Sequence, residues 1–169
     1  ALSQALGPQD AMVLITMGRG VVFGEKLTDP AARADAIEAA CTYTVYGTDL
    51  YESIDTILST IAREETGLSN LVFFSDGVET ANTVKLTEDQ VARIVQSSGR
   101  AVNFIAMYTP PITVFARKQV ELLSRLAQLS LGGVCLTPYE QDPNNYVNAM
   151  ENAAREIVNQ TAAWTVLHF

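Results

Sequence analysis

The chain has 169 residues, 48% of them hydrophobic, which suffices for one well-buried domain of ordinary size. Charged residues make up 18%, below the usual share of about 25%, so the charges should sit on helix faces and a sheet should be buried on both sides. The net charge is −8 and the cations are scattered, Arg117-Lys118 being the only adjacent pair, which argues against nucleic acid as a partner because phosphate contacts need clustered Lys and Arg.

Apolar runs alternate with helical patterns from end to end, the signature of a parallel α/β sheet. The first run, residues 11–17, is the unbroken kind shown by a strand buried on both faces. Gly18-Arg19-Gly20 reads as a tight turn into Val21-Val22-Phe23, giving a hairpin with one antiparallel edge strand. Pro30 suits a helix start, and residues 31–40 supply strong helix formers. Leu50, Ile54, Ile57, Leu58 and Ile61 then form one continuous helical face. Residues 71–74 read as a central buried strand ended by Asp76-Gly77. Thr87-Glu88-Asp89-Gln90 is a capping-box start for a helix that runs to Ser98 and stops at Gly99.

Residues 101–108 alternate as a strand that ends at Pro110-Pro111, and Tyr108 and these prolines either shape a binding surface or form a plain turn. A helix over about 115–131 should bury Leu122, Leu126 and Leu129 before Gly132-Gly133 terminates it, and residues 134–136 make a short strand. A last helix over about 143–161 should bury Val147, Met150, Ala154, Ile157 and Val158. In the tail, Trp164, Val166 and His168 alternate with Thr165, Leu167 and Phe169, which predicts a strand opening a following module. The domain is therefore placed at residues 1–161 and the start of a further β segment at 162–169.

No apolar run approaches the roughly 18 residues of a membrane span. There is neither a signal-like amino-terminal region nor an initiator Met, so the chain reads as a processed product or a fragment. Cys41 and Cys135 have no metal-ligand spacing. They should lie near opposite edges of the sheet, too far apart for the roughly 7 Å Cα separation a disulfide allows.

Two segments carry chemistry. Gly47-Thr48-Asp49-Leu50-Tyr51 leads into the strongest helix, and Phe74-Ser75-Asp76-Gly77 ends the most central strand. Parallel strands share one direction, so their carboxyl ends line one rim, where ligands of such sheets bind. Asp76 stands at a strand's carboxyl end, and Thr48 precedes the amino end of a helix running back from the same rim. Hydroxyl and carboxylate oxygens are hard donors suited to a small cation such as Mg²⁺, which takes octahedral oxygens at roughly 2.0–2.1 Å and keeps several waters. Each segment also has a plain structural reading, Asp76-Gly77 as a turn and Thr48 or Asp49 as a helix cap. Glu79 follows the Asp76 turn and either lies near the site or is a solvated loop acid. The only histidine, His168, lies far from the rim, so no Ser-His-Asp or Cys-His arrangement can be built.

Residues 47–51 resemble the Gly-Thr-x-Leu segment that supplies the metal-site threonine of von Willebrand factor A domains. Residues 71–77, with Asp76 before Gly77, resemble their hydrophobic strand and metal-site aspartate, and residues 126–133 resemble their leucine-rich helix ending in Gly-Gly. The likeness spans residues 5 to 160, in matching element order. It implies a three-layer α/β/α, Rossmann-like, doubly wound and mostly parallel sheet. It also implies divalent-metal-dependent protein binding or adhesion without catalysis. Thr48 and Asp76 would be metal ligands, Asp49 and Gly77 would shape the loops, and the cation would be Mg²⁺, or Mn²⁺ or Ca²⁺. The partner would be a protein presenting an Asp or Glu to the metal's open position. A bacterial surface or secreted setting fits the low cation count and the family's bacterial members.

One departure matters. The family's Asp-x-Ser-x-Ser motif after its first strand has no counterpart here, and residues 1–6 resemble the tail of the helix that would follow it. The expectation is an amino-terminal truncation of about 25–30 residues, one typical strand, loop and helix. The absent strand would lie between those near residues 11 and 71, leaving both with unpaired edges. Two other functions fit the same residues: a metal-dependent hydrolase or phosphoryl-transfer enzyme with Asp76 on the metal, or a metal-free scaffold that kept the fold.

Overall fold

A computed structural model describes residues 6, 7, 10–41, 47–64, 70–80, 85–107, 113–138 and 144–165. Among the described residues ten elements follow one another: β1 (Met12–Met17), β2 (Val21–Leu27), α1 (Pro30–Cys41), α2 (Leu50–Glu64), β3 (Asn70–Ser75), α3 (Glu88–Ser97), β4 (Ala101–Ala106), α4 (Val114–Leu129), β5 (Cys135–Leu136) and α5 (Tyr146–Thr165). The class is α/β.

Local chemistry accounts for most of the boundaries. The Asp29 carboxylate accepts the Ala32 N–H at 2.9 Å and so caps α1, with Pro30 at the first helical position, where a missing N–H costs nothing. Thr87 and Gln90 make the reciprocal capping box of α3, and Gly99 (φ 62°) follows its carboxyl end. Thr113 caps α4 by accepting from Ala116 N. Beyond α4, a Cβ on Gly133 would lie 2.1 Å from the Val102 carbonyl oxygen, so only glycine lets the chain pass that close to β4.

The strands form two sheets rather than one. β3, β4 and β5 are parallel in that order, whereas β1 and β2 make a separate antiparallel hairpin. A bulge between Val13 and Ile15 breaks the hairpin's register, and Gly24 faces it with room for no side chain, since a Cβ there would sit 2.9 Å from the Leu14 carbonyl oxygen. The α/β class, the parallel sheet and the antiparallel hairpin stand as expected, whereas no ladder joins hairpin and parallel sheet among the described residues.

Helices cover both faces of the parallel sheet. On one face Leu71, Phe73, Val102, Phe104 and Ala106 pack with Leu50, Ile54, Ile57 and Ile61 of α2, Val91 and Val95 of α3, and Leu122, Leu123 and Leu126 of α4. The Phe73 and Phe104 rings stack with centroids 5.3 Å apart, in register across β3 and β4. Ile15, Met17, Val21 and Phe23 of the hairpin join this same core. On the other face Ile105 meets Ala153, Ala154 and Ile157 of α5, with Val72 beside them. Within α5 the buried stripe is thus Ala149, Ala153, Ala154 and Ile157, and Val147, expected inside, is 70% exposed.

Helix α5 continues to Thr165, so residues 163–165 are helical where their alternation predicted a strand. Ala162 and Ala163 are the strongest helix formers, and they extend a helix that is already nucleated. The rest of the predicted tail strand, including His168, lies outside the described residues, as do Tyr108, Pro110 and Pro111. Cys135 is a free thiol, half-buried, and burial raises its pKa. It is not bonded to Cys41.

Two buried polar residues are satisfied by backbone alone. Arg33 of α1 has no exposed surface, and its guanidinium donates to the carbonyl oxygens of Asp10, Thr28 (2.7 Å) and Gly7 (3.3 Å), tying the segment before β1 to the far end of the hairpin. Asn103 in β4 donates through Nδ2 to the Leu71 carbonyl at 3.1 Å and accepts the Val134 N–H on Oδ1 at 3.1 Å, bridging both neighbouring chain segments. Asn103→Leu leaves the Val134 N–H buried without an acceptor, so stability should fall by about 1–3 kcal/mol. Urea unfolding followed by far-UV circular dichroism measures this, and an unchanged midpoint would show that the bridge contributes nothing.

Candidate functional site

The rim at the carboxyl ends of β1 and β3 gathers three loops. The β1–β2 turn is held to the start of α2 by the Asp49 N–H, which donates to the Gly18 carbonyl at 2.9 Å. Gly47 adopts φ 84°, a left-handed conformation that turns the chain into Thr48, Asp49 and the first turn of α2. Asp49 then opens the helix by accepting the Ser53 N–H on its carbonyl at 2.9 Å. It acts as a loop-shaping residue, as expected, although through its backbone.

The loop after β3 provides the other wall. The Ser75 hydroxyl accepts the Gly77 N–H at 3.0 Å, and the Asp76 carboxylate accepts the Val78 N–H through Oδ1 at 3.0 Å. These two short-range bonds fold the chain sharply at the strand's end. Gly77 has φ 78°, and a Cβ there would lie 2.9 Å from Gln119 Cβ, so the turn seats directly on α4. Across the sheet, the Met107 N–H donates to the Ser75 carbonyl at 2.8 Å and keeps β4 in step with β3 up to the rim.

The two walls are joined by Thr80, which sequence reasoning left aside, and by Glu79. Thr80 lies 32 residues beyond Thr48 yet binds its backbone on both sides. Its Oγ1 accepts the Thr48 N–H and donates to the Thr48 carbonyl at 3.1 Å, while its own N–H donates to the same carbonyl at 3.0 Å. Glu79, which the sequence left open as a site neighbour or a solvated acid, accepts the Tyr51 N–H on Oε2 at 2.9 Å and so caps α2 from a remote loop. Glu52 in turn accepts the Lys85 N–H at 2.8 Å. No local pattern marks these contacts, because they exist only once β3 and α2 are packed.

Thr48 and Asp76 are therefore on loops tied to each other at one rim. Among the described residues neither the Thr48 hydroxyl nor the second carboxylate oxygen of Asp76 has a hydrogen-bond partner, so both remain available as donors of lone pairs. Two hard oxygens suit Mg²⁺ in kind but fill only part of its octahedron. No group of three or more His, Cys, Asp or Glu able to hold a metal occurs among the described residues. Phe74 and Met107, each 40% exposed, flank the Ser75-Asp76 turn and give the rim an apolar border.

Fold and rim together define an α/β protein with a polar loop cluster at the carboxyl end of β3, which lies at the edge of the three-stranded parallel sheet among the described residues and not, as its apolar run suggested, at the centre. No family model matches the chain, and neither does any curated protein or solved structure.

Tyr51, in the first turn of α2, is buried beside two acids. Its phenol is pushed up to about 12, by burial first and then by the charges of Glu88 and Glu79; its hydroxyl lies 3.5 Å from a Glu88 oxygen. A phenol whose pKa is raised in the folded state favours folding fully below its unfolded value of about 10 and loses that contribution as pH climbs through the folded value. Unfolding free energy should decline between about pH 10 and about pH 12, and Tyr51→Phe should remove that part of the decline. Denaturant titrations of both proteins across this window measure it, and parallel curves would rule the effect out.

Proposed function

We propose that this chain is a von Willebrand factor A-like module that recognises a protein partner through a divalent cation at the rim. Thr48 would contribute its hydroxyl, directly or through water, and Asp76 its free carboxylate oxygen. The cation, Mg²⁺ or its substitutes Mn²⁺ and Ca²⁺, would supply a positively charged open position that an Asp or Glu of the partner can fill. Binding rather than catalysis is the activity inferred.

The observation that carries this reading is the tie between the two loops. The segments bearing a hydroxyl and a carboxylate, 28 residues apart in sequence, are fastened by Thr80 at the carboxyl end of β3. Ligands of open parallel sheets bind at that end. Support also comes from the surroundings: Asp49, Glu79 and Glu88 make the region negative, which attracts a cation, and Phe74 and Met107 border it with exposed apolar surface suited to a protein contact. The residues fit a weakly held, largely hydrated ion.

Calorimetric titration with Mg²⁺, and with Mn²⁺ read by electron paramagnetic resonance, tests the proposal. One saturable site with an affinity in the range of about 10⁻⁴–10⁻³ M is expected, as for sites with few carboxylates. Asp76→Ala should abolish it, and Thr48→Val should weaken it about tenfold, the worth of one ligand contact near 1.4 kcal/mol. Uptake that both variants leave unchanged would place any cation elsewhere and remove the basis of the reading.

A further inference from the structure

We propose that Glu79 and Thr80 form a positioning clip for the rim, in which Thr80 sets where Thr48 stands relative to Asp76 and Glu79 offsets the positive end of α2 beside the cation. The inference rests on the cation-site reading and assigns roles to two residues outside its ligand pair.

The geometry separates the two roles. Thr80 uses a single hydroxyl as acceptor for the Thr48 N–H and as donor to the Thr48 carbonyl. Only a side chain able to do both can hold both polar groups of one residue, which a hydroxyl does and a methyl cannot. Gly47 makes this approach feasible, since a Cβ there would stand 3.3 Å from Thr80 Oγ1 on a backbone already at φ 84°. Asp76 lies four residues before Thr80 in the same loop, anchored at Val78. Fixing Thr48 to Thr80 therefore fixes Thr48 to the Asp76 turn.

Glu79 answers an electrostatic problem. A helix amino terminus carries about half a positive charge, and Thr48 lies two residues before the first residue of α2. A cation at Thr48 would be repelled by that end. The Glu79 carboxylate takes the Tyr51 N–H at 2.9 Å and brings a full negative charge to the same turn. In sequence Glu79 is 28 residues from Tyr51, so this charge arrives at α2 only through the loop that also carries Asp76.

The clip predicts different behaviour for three variants, read by Mg²⁺ calorimetry and by amide hydrogen exchange in the intact chain. Thr80→Val should speed exchange of the Thr48 amide and weaken Mg²⁺ binding, each by about fivefold to tenfold, as for the loss of one hydrogen bond. Thr80→Ser should restore both. Glu79→Gln keeps an acceptor for the Tyr51 N–H, so exchange of that amide should hold steady while Mg²⁺ binding falls by about threefold, the scale of one charge at a helix end. The Phe104 amide, bonded to the Val134 carbonyl within the parallel sheet, reports whether the fold itself has been disturbed. A Thr48 amide indifferent to Thr80→Val, or a Ser variant that restores nothing, overturns the role of Thr80. Unchanged Mg²⁺ affinity in Glu79→Gln overturns that of Glu79. If the unaltered chain takes up no Mg²⁺, the cation reading fails and the clip's function with it, whereas the exchange data still decide whether the tie exists.

Discussion

The apolar stripe of α2 holds together two sheets that, among the described residues, share no hydrogen-bonded ladder. Leu50, Ile54, Ile57 and Ile61 are all 2% exposed or less, and they lie in one cluster with Leu71 and Phe73 of β3 and with Ile15, Met17, Val21 and Phe23 of the hairpin. Each fully buried side chain of this size contributes about 1.5–3 kcal/mol relative to exposure. A hydrogen-bonded ladder would fix the sheets' relative position by direction and register, whereas an apolar layer fixes it by fit. The hairpin needs this layer, because two strands by themselves are marginal in water.

Polar ties supply the direction that the apolar layer lacks. Arg33 fastens Gly7 and Asp10 to the end of the hairpin, and Asp49 fastens the opposite end to α2. Asn103 does the same across the parallel sheet, where its amide meets a carbonyl on one side and an N–H on the other. Among the described residues the guanidinium of Arg33 has no carboxylate partner. Its hydrogen bonds to neutral backbone carbonyls, strengthened by the charge on the donor, are what make its burial tolerable, and losing them would leave an uncompensated charge inside.

The rim inherits its geometry from these constraints. β3 delivers Asp76 because its strand ends there, and α2 delivers Thr48 because its buried stripe begins at Leu50, leaving the preceding residues at the edge of the core. Once both elements lie on the same layer, Thr80 and Glu79 come within reach of the α2 amino terminus. The site is thus a consequence of packing first and of hydrogen bonding second. The glycines at 47 and 77 make the approach of the loops sterically possible.

Periodicity in the chain determined the helical stripes, the strands and most boundaries, because 3.6-residue and unbroken apolar patterns are local and strong. The capping box at Thr87, the turn before Val21 and the Gly132-Gly133 stop are legible for the same reason: each is a short-range hydrogen-bonding or steric rule. The expectation that Thr48 and Asp76 share one rim came from the directions of a strand and of a helix. Other features required the tertiary structure. The inward face of α5 shifted from Val147 to Ala149 and Ala153, since several rotations of an Ala-rich helix are nearly equivalent in pattern and only the sheet beneath selects one. The helical state of residues 163–165 was hidden by an alternation too short to outweigh the helix already running into it. The separation into two sheets depends on which edges find partners, and the roles of Thr80 and Glu79 depend on contacts across about thirty residues, as their separations of 32 and 28 show. Such contacts leave no periodic trace, because the groups that meet are chosen by the packed core and not by their neighbours in the chain.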